Sequence, residues 1–330
     1  MHPERPEIPS FDDIQRAAVR IQGQAIRTPL LNSPKLDERL GFRLFVKAEV
    51  LQRTGSFKFR GAYNSVSQLS QGGTAKGIVA FSSGNHGQGV AAAAQLCGLP
   101  AVIVMPADSP PIKLRNTASY GAEVVTFDRA REDRVAIAAT LAEQRNAVIV
   151  PPFDDPQIIS GQGTVGLEIA DQAEAEGISI DHVVVPASGG GLVAGISLAL
   201  EHRSPHTKIW CAEPEGFDDH ARSLTAGSRQ QNAQATGSIC DALMSREPGA
   251  LTFAINRLRL AGGLVANDDE VRSAMGVAFD MLKLVIEPGG AVALAAVLSG
   301  KLNAEPGQAV VVVASGGNVD RDSFAAAING

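Results

Sequence analysis

The chain has 330 residues, of which 45% are hydrophobic, enough for two domains of ordinary size with a sizeable core. Its 29 basic and 35 acidic side chains give a formal net charge of −6, which argues against nucleic acid or an anionic membrane as a partner. The three cysteines lack metal or redox spacing, no apolar run reaches transmembrane length, and the N-terminus does not resemble a signal peptide. These features predict a cytoplasmic protein with reduced thiols.

Short β-rich runs alternate along the chain with stretches rich in Ala, Glu and Leu. The predicted strands are 43–47, 77–81, 101–105, 123–127, 147–151, 182–185, 209–212 and 309–314, and the predicted helical stretches include 132–144 and 271–284. This alternation predicts a doubly wound α/β architecture.

The segment 54–62, Thr-Gly-Ser-Phe-Lys-Phe-Arg-Gly-Ala, carries a lysine directly after a turn-forming Gly-Ser pair. Lys58 falls at the start of a predicted helix, where the positive end of the helix dipole disfavours an ammonium. Burial against Phe57 and Phe59 would lower its pKa further from the ordinary value of about 10.4. Such a lysine suits Schiff-base chemistry with an aldehyde cofactor, although an exposed helix lysine is the alternative for this segment alone.

The segment 82–88, Ser-Ser-Gly-Asn-His-Gly-Gln, lies between an apolar strand and an Ala-rich helical stretch. Backbone amides at such a strand–turn–helix junction bind anions, because the first helical N–H groups have no partner within the helix. The carboxylate of an amino-acid substrate would fit there. An ordinary helix cap is the alternative.

The segment 183–195 repeats the strand–turn–helix pattern with a glycine loop, Ser188-Gly-Gly-Gly191. Successive glycines allow backbone amides to curl around a phosphate. Two other interpretations stay open. The pattern Gly189-x-Gly191-x-x-Ala194 also matches a dinucleotide-binding fingerprint, with Glu213 near the spacing of the ribose-binding acid, and a purely structural turn is the third possibility.

Taken together, the three segments resemble the fold-type II pyridoxal-phosphate enzymes, in the serine/threonine dehydratase and serine racemase branch. The resemblance extends over nearly the whole chain, because further motifs of the branch match at 27–30, 159–164, 287–291 and 315–318. The resemblance implies a tryptophan synthase β-like homodimer with two doubly wound domains and the cofactor in the cleft between them. A small domain, 70–155, would be inserted into a large domain made of 1–69 and 156–330.

The resemblance also implies roles for individual positions. Lys58 would bind the cofactor and take the Cα proton of the substrate, and Ser83 would be a second catalytic residue, as in relatives that racemise. The other cofactor-binding residues would be Phe57, Asn85, Ser188, Gly189, Gly190, Gly191, Leu192 and Ser315. The residues that bind the substrate would be Ser82, Ser83, Asn85 and His86. Ser188 replaces the first of four glycines found in many relatives, and Ser315 would offer the pyridine nitrogen a neutral hydroxyl, which favours rapid loss of a β-leaving group.

The expected reaction is dehydration and deamination of L-threonine or L-serine to a 2-oxo acid and ammonia. A 3-hydroxyaspartate dehydratase and a serine racemase with side dehydratase activity are alternatives within the branch. Hydroxyaspartate would need a second cation, for which Arg134 is a candidate, although the charged run 131–134 is more typical of a solvated helix start. Phe153 is expected to form a wall near the cofactor. An NAD-dependent oxidoreductase and a non-catalytic amino-acid-binding module are the alternatives from other classes.

An acidic segment, 213–219, follows the predicted strand 209–212. Two carboxylates with a backbone carbonyl between them suit a hard cation such as Mg²⁺ or Ca²⁺. By resemblance to serine racemases the ligands would be Glu213, Asp219 and the Phe217 carbonyl, and Mn²⁺ would also serve. An acidic, solvated loop is the alternative.

Overall fold

The computed structural model describes residues 7–82 and 84–329, which form two sheets flanked by helices. The strands are β1 (Leu30–Asn32), β2 (Arg43–Lys47), β3 (Ile78–Phe81), β4 (Ala101–Pro106), β5 (Glu123–Phe127), β6 (Val148–Ile149), β7 (His182–Pro186), β8 (Lys208–Pro214), β9 (Leu260–Ala266) and β10 (Ala309–Val313). The α-helices are α1 (Phe11–Ile21), α2 (Pro34–Leu40), α3 (Lys58–Gln71), α4 (Asn85–Leu96), α5 (Pro111–Ser119), α6 (Arg134–Arg145), α7 (Pro156–Ala175), α8 (Gly191–Arg203), α9 (Asp219–Ala226), α10 (Ala250–Arg259), α11 (Asp268–Val277), α12 (Pro288–Leu298) and α13 (Arg321–Asn329).

The larger sheet has the strand order β1-β2-β10-β7-β8-β9 and is parallel except for β1, which pairs with β2 in the antiparallel direction. Strand β10, Ala-Val-Val-Val-Val, is buried along its whole length and pairs with β2 and β7. A continuous β-branched run of this kind is typical of a central parallel strand covered by helices on both faces. The larger sheet therefore brings the ends of β7, β8 and β10 to one edge.

The smaller sheet has the order β5-β4-β3-β6 and is entirely parallel. Its four strands come from one continuous stretch of chain, 78–149, which lies inside the small domain expected from the sequence. Helix α3, which was assigned to the large domain, contributes Phe59, Ala62 and Val66 to the core beneath this sheet. The proposed domain limits at 70 and 155 stay a prediction.

Helices α3 and α7 join the two halves where they cross at glycines. A Cβ atom placed on Gly161 of α7 would lie 2.6 Å from the Cα atom of Gly61 in α3, closer than any real contact. The absence of side chains at this crossing allows the two backbones to approach each other. Helix α3, which begins at Lys58, is therefore held firmly against the rest of the molecule.

The differences from the predicted elements have local causes. Strand β1 has only three residues, and β9 contains Gly262 and Gly263, so neither carries a strong strand pattern. The stretch predicted as one helix over 271–284 is α11 followed by a π-turn at Ala278–Leu282, which ends at Lys283 with φ of 58°. No helix in the described part of the chain is both long enough and apolar enough to cross a membrane.

Candidate active site

Lys58 is the first residue of α3 and reaches a cavity between the two sheets. Its Nζ atom donates a hydrogen bond to the Pro152 carbonyl at 2.8 Å and lies 5.1 Å from the centre of the Phe57 ring. Within the described residues, no carboxylate lies at ion-pair distance from this amine. Removal from water without a compensating charge lowers the pKa of Lys58 to about 8, so a much larger fraction of the amine is neutral near physiological pH than for an ordinary lysine.

The cavity brings together the predicted catalytic, cofactor-binding and substrate-binding residues that the structure describes. Its lining includes Phe57, Lys58, Ser82, Asn85, His86, Ser188, Gly189, Gly190, Gly191, Leu192 and Ser315, and also Phe153. Ser83 lies outside the described residues. These residues come from segments up to 258 positions apart (315 − 57), yet they surround one space.

The glycine loop between β7 and α8 has the shape of an anion cradle. Gly190 has φ of 89°, and α8 begins at Gly191 with no side chain capping its first N–H groups. A Cβ atom on Gly189 would overlap the Phe153 ring, so the ring closes against the loop as the expected wall. A helix N-terminus approached by bare backbone favours a phosphate, which fits the phosphate group of pyridoxal phosphate.

Ser188, which stands in place of a glycine, joins the loop to a neighbouring segment. Its hydroxyl donates a hydrogen bond to Ser245 Oγ at 2.7 Å and accepts one from the Ser245 N–H at 3.3 Å. Ser245 also lines the cavity. The hydroxyl therefore stiffens the loop, while the Ser188 N–H remains part of the loop backbone.

Asn85 opens α4 and contacts groups from the other half of the molecule. Its amide nitrogen donates a hydrogen bond to Glu287 Oε1, and its amide oxygen accepts one from Asn318 at 2.8 Å. Lys113 Nζ lies 2.7 Å from Asp241 Oδ2 and 3.5 Å from Glu287 Oε2. Burial raises the pKa of Glu287, which Lys113 opposes, whereas the two carboxylates raise the pKa of Lys113 against its own burial.

Three members of this polar network, Lys113, Asp241 and Glu287, have no role predicted from the sequence. Glu287 was noted only as part of the motif 287–291, and its position directly before a Pro-Gly-Gly helix start was the available signal. Lys113 and Asp241 stand in unremarkable contexts, so no local pattern identified them. They face each other only because α5 and the segment after Cys240 meet at the cavity.

The turn before α4 offers the cavity backbone N–H groups rather than a side chain that could act as a base. Ser82 Oγ accepts a hydrogen bond from the Gly84 N–H at 3.0 Å. His86 is buried with Nε2 at 3.0 Å from the Val150 carbonyl, and burial beside Lys58 lowers its pKa to about 3. The imidazole is therefore neutral and positions the turn, so that any contact with a substrate carboxylate comes from the neighbouring amides.

Ser315 follows β10 and is buried beside the lysine segment. Its carbonyl accepts a hydrogen bond from the Phe57 N–H at 3.1 Å, and Ser56 forms a β-bridge with Gly316. These contacts hold the end of β10 against the residues that precede Lys58. Ser315 lines the cavity, and the contact of its hydroxyl with the pyridine nitrogen stays a prediction.

Arg134 is exposed, as its charged run indicated, and it also borders the cavity. It lines the cavity together with Arg129, and its guanidinium lies 5.5 Å from the centre of the Phe81 ring. Arg129 pairs with Asp108 at 2.8 Å, whereas no described carboxylate lies within ion-pair distance of Arg134. Arg131 is 85% exposed and Arg134 is exposed as well, so the solvated interpretation holds for both residues, while the start of α6 also places Arg134 at the edge of the cavity.

Two of the three predicted cation ligands, Glu213 and Asp219, come together and are buried, whereas the Phe217 carbonyl as a ligand stays a prediction. Glu213, Asp219 and His220 each place one ligand atom within 4.8 Å of the others. Glu213 accepts hydrogen bonds from the N–H groups of His220 at 2.9 Å and Ala221 at 2.8 Å. Phe217 lies in the intervening turn, where its N–H bonds the Pro214 carbonyl at 3.0 Å.

Burial gives these carboxylates unusual electrostatics. Burial raises the pKa of Asp219 to about 7 and that of Glu213 well above its ordinary value. Asp219 Oδ2 has no hydrogen-bond partner among the described residues, which is costly for a buried oxygen. The arrangement fits a hard divalent cation and excludes the solvated acidic loop. It also contradicts the dinucleotide interpretation, because the buried Glu213 carboxylate caps α9 and cannot reach a ribose.

Comparisons with known proteins agree with this geometry. Residues 21–316 match the family described as pyridoxal-phosphate dependent enzyme. An L-threo-3-hydroxyaspartate ammonia-lyase from Pseudomonas sp. is 40% identical over 98% of this chain and 100% of its own length. A threonine deaminase structure from T.th. has a TM-score of 0.89 and 42% identity over 94% of this chain and 99% of its own. The maize serine racemase structure has a TM-score of 0.91 and 36% identity over 98% of each chain. The chain therefore belongs to the fold-type II pyridoxal-phosphate-dependent enzymes, in the branch of the ammonia-lyases and serine racemases.

Proposed function

We propose that this enzyme removes water and then ammonia from a 3-hydroxy amino acid, and that its preferred substrate is 3-hydroxyaspartate. The observation that carries the substrate assignment is Arg134, a guanidinium without a described carboxylate partner on the same cavity as Lys58. Serine and threonine, which the sequence favoured, need no such cation. The similarity to a Pseudomonas protein named as an L-threo-3-hydroxyaspartate ammonia-lyase supports the same choice.

The residues around the cavity have separate tasks in this reaction. Pyridoxal phosphate, when bound, supplies an electron sink that acidifies the Cα–H bond of the substrate. Lys58 holds the cofactor and then takes the Cα proton, for which its lowered pKa leaves a neutral amine available. The loop 188–192 holds the phosphate, and the backbone amides at 84–87 orient the substrate carboxylate.

Elimination then removes the β-hydroxyl as water. The Cα proton goes to Lys58, the Cβ–O bond breaks, and the hydroxyl takes up one proton to leave as water. Lys58 gives up the proton that it gained, so the two proton transfers balance. The released enamine hydrolyses to a 2-oxo acid and ammonia, so that no oxidant or reductant is needed. The neutral Ser315 hydroxyl leaves the cofactor ring a moderate electron sink, which suits rapid departure of the leaving group.

The test is release of 2-oxo acid from L-serine, L-threonine, D-serine and the threo and erythro 3-hydroxyaspartates, with added pyridoxal phosphate and Mg²⁺. We expect the highest kcat/KM with a hydroxyaspartate. Turnover of serine or threonine alone would make the enzyme a serine/threonine ammonia-lyase, the second candidate, which the 42% identity to a threonine deaminase supports. No product from any substrate would overturn the reaction assignment.

Arg134→Gln should separate the two candidates within one enzyme. A hydrogen bond between charged groups contributes about 1.5–3 kcal/mol, so we expect kcat/KM for hydroxyaspartate to fall about 10- to 100-fold. The value for L-serine should change by less than about threefold. Arg131→Gln, which alters an 85% exposed arginine three residues earlier, is the matched control. Equal losses for both substrates would contradict a role in recognising the second carboxylate.

Ser83 supports a racemase side activity, since it occupies the position of a serine in relatives that racemise. We expect Ser83→Ala to lower the ratio of racemisation to elimination with L-serine. The ratio is measured by chiral chromatography of serine beside 2-oxo acid release. An unchanged ratio would show that Ser83 takes no part in racemisation.

The remaining assignments concern the assembly and its setting. We propose a cytoplasmic homodimer that binds Mg²⁺, Ca²⁺ or Mn²⁺ at Glu213, Asp219 and the Phe217 carbonyl. Light scattering during size-exclusion chromatography tests the dimer. Equilibrium dialysis with each cation, with Asp219→Asn as the comparison, tests the site.

A further inference from the structure

One imidazole lies between the candidate cation site and the phosphate-binding loop. His220, in the first turn of α9, has no solvent exposure. Its Nδ1 atom lies 3.9 Å from Glu213 Oε1 and has no hydrogen-bond partner among the described residues. Its Nε2 atom, on the other side of the ring, lies 3.0 Å from the Asn256 amide nitrogen.

The far side of the ring contacts the loop directly. A Cβ atom on Gly190 would lie 2.5 Å from His220 Nε2, so the ring fills the space that only glycine leaves open. Asn256, on α10, also donates a hydrogen bond to the Gly190 carbonyl at 3.4 Å. From the same helix, Thr252 Oγ1 donates to the Gly189 carbonyl at 2.5 Å. His220 and α10 therefore support the loop from behind.

We propose that His220 couples a divalent cation at Glu213 and Asp219 to the phosphate-binding loop, so that the cation and pyridoxal phosphate strengthen each other's binding. The inference rests on the cofactor and cation assignments of the proposed function and adds the link between them. Neither the sequence motifs nor the expected ligand set included His220.

The physical link is the orientation of the imidazole ring. A cation at Glu213 and Asp219 fixes the two carboxylates beside the ring, where Glu213 Oε1 lies 3.9 Å from His220 Nδ1. On the other side of the ring, the amide nitrogen of Asn256 lies 3.0 Å from His220 Nε2 and also bonds the Gly190 carbonyl, so a fixed ring holds Asn256 against the loop. The cation thus fixes one ring orientation, and that orientation holds Gly190 in its left-handed conformation.

Coupling of this kind is reciprocal, so it can be measured from both sides. Trp210 is the single tryptophan and lies on β8, the strand that leads to Glu213, so its fluorescence can follow binding. The Kd of pyridoxal phosphate for the full-length apoenzyme is measured with saturating Mg²⁺ and with EDTA. The Kd of Mg²⁺ is measured by calorimetry with and without the cofactor, and Mn²⁺ is the second probe. We expect each Kd to fall about tenfold when the other ligand is present.

Two variants interrupt the link on opposite sides. His220→Asn keeps a polar atom toward the carboxylates but cannot reach Asn256, and Asn256→Leu keeps the imidazole but removes its partner. In both variants, we expect each ligand still to bind. For each ligand, the ratio of the Kd measured without the other ligand to the Kd measured with it should fall to about one. His206→Asn, which alters an exposed histidine whose Nε2 lies 3.1 Å from Ser179 Oγ, should keep the tenfold ratio.

Each outcome decides the proposal. A ratio of one in the wild-type enzyme, or no Mg²⁺ or Mn²⁺ bound, overturns it. A tenfold ratio in a folded His220→Asn or Asn256→Leu protein shows that the coupling does not pass through His220, and also overturns it. The 2-oxo acid assay on the wild-type enzyme is separate, so loss of the proposed activity with intact coupling would contradict only the reaction assignment.

Discussion

The chemistry of Lys58 is set by what surrounds a single amine. The side chain reaches a carbonyl and an aromatic ring, and no described carboxylate is near enough to stabilise the ammonium. Desolvation therefore acts without opposition and lowers its pKa from 10.5 to about 8. Lys47 shows the contrast: it is also buried, but it contacts Glu168 at 2.6 Å and the Thr28 carbonyl at 2.7 Å, which suits a structural lysine.

The lowered pKa predicts how the apoenzyme captures its cofactor. Because only the neutral amine attacks an aldehyde, the rate of capture should rise with pH up to about 8 and then level off. Samples quenched with borohydride at successive times, followed by mass spectrometry of the Lys58 peptide, measure this rate. Lys58→Ala should trap no cofactor at this position and should lose turnover. A rate that keeps rising toward pH 10 would mean that the amine has its ordinary pKa.

At the scale of elements, α3 is anchored by a buried ion-pair network two residues after Lys58. Arg60 bonds Glu49 through Nε and Nη2, both at 2.8 Å, and bonds Glu168 through Nη1 at 2.7 Å and Nη2 at 2.8 Å. Both acids raise the pKa of Arg60, and Arg60 lowers the pKa of the fully buried Glu49 despite desolvation. The network ties α3 to α7 and to the residues after β2, so it fixes where the first turn of α3 points.

Arg60→Met should therefore destabilise the protein strongly. Removing one partner leaves Glu49 buried without its counter-ion, which costs about 3–5 kcal/mol. Urea unfolding of the holoenzyme measures the change in free energy, with Arg16→Met as the control, because Arg16 and Asp13 form an exposed pair. Adding Glu49→Gln should recover part of the loss. A change below about 1 kcal/mol would mean that the network is energetically unimportant.

At the scale of the molecule, one lysine bridges the two halves across the cavity. Lys113 extends from α5, beside the smaller sheet, to Asp241 and Glu287 of the larger half. Glu287 in turn accepts a hydrogen bond from Asn85 on α4. Because both halves contribute charges that are buried only when they meet, this network favours the closed arrangement in which the cavity walls face each other.

Lys113→Met should weaken this closure. We expect kcat/KM to fall about tenfold or more, mainly through KM, because the loss of a buried pair costs at least about 1.4 kcal/mol. Asp241→Asn in the same background should add little, since the two side chains act as one unit. Lys301→Met, which removes a partly exposed pair with Glu270, is the matched control. Fully additive effects would indicate that Lys113 and Asp241 act independently.

The sequence by itself determined the features that local chemistry controls. The order of strand, turn and helix, the lysine after Gly-Ser and the glycine loop at 189–191 follow from turn and capping preferences, which act over a few residues. These features predicted the α/β architecture, and the resemblance that they carry to the fold-type II pyridoxal-phosphate enzymes supplied the cavity residues from Phe57 to Ser315. Strands β1 and β9 escaped prediction because three residues, or a strand interrupted by two glycines, carry too little pattern.

Only the tertiary structure decided which distant side chains face one another. Arg134 became a cavity residue because of the direction in which α6 begins, and His220 became a link because α9 packs behind Gly190. Burial then set the pKa values of Asp219 and Lys58, which no local pattern could supply. The physical reason is that desolvation and Coulomb interactions depend on distance in space, whereas turn and strand preferences depend on neighbours in the chain.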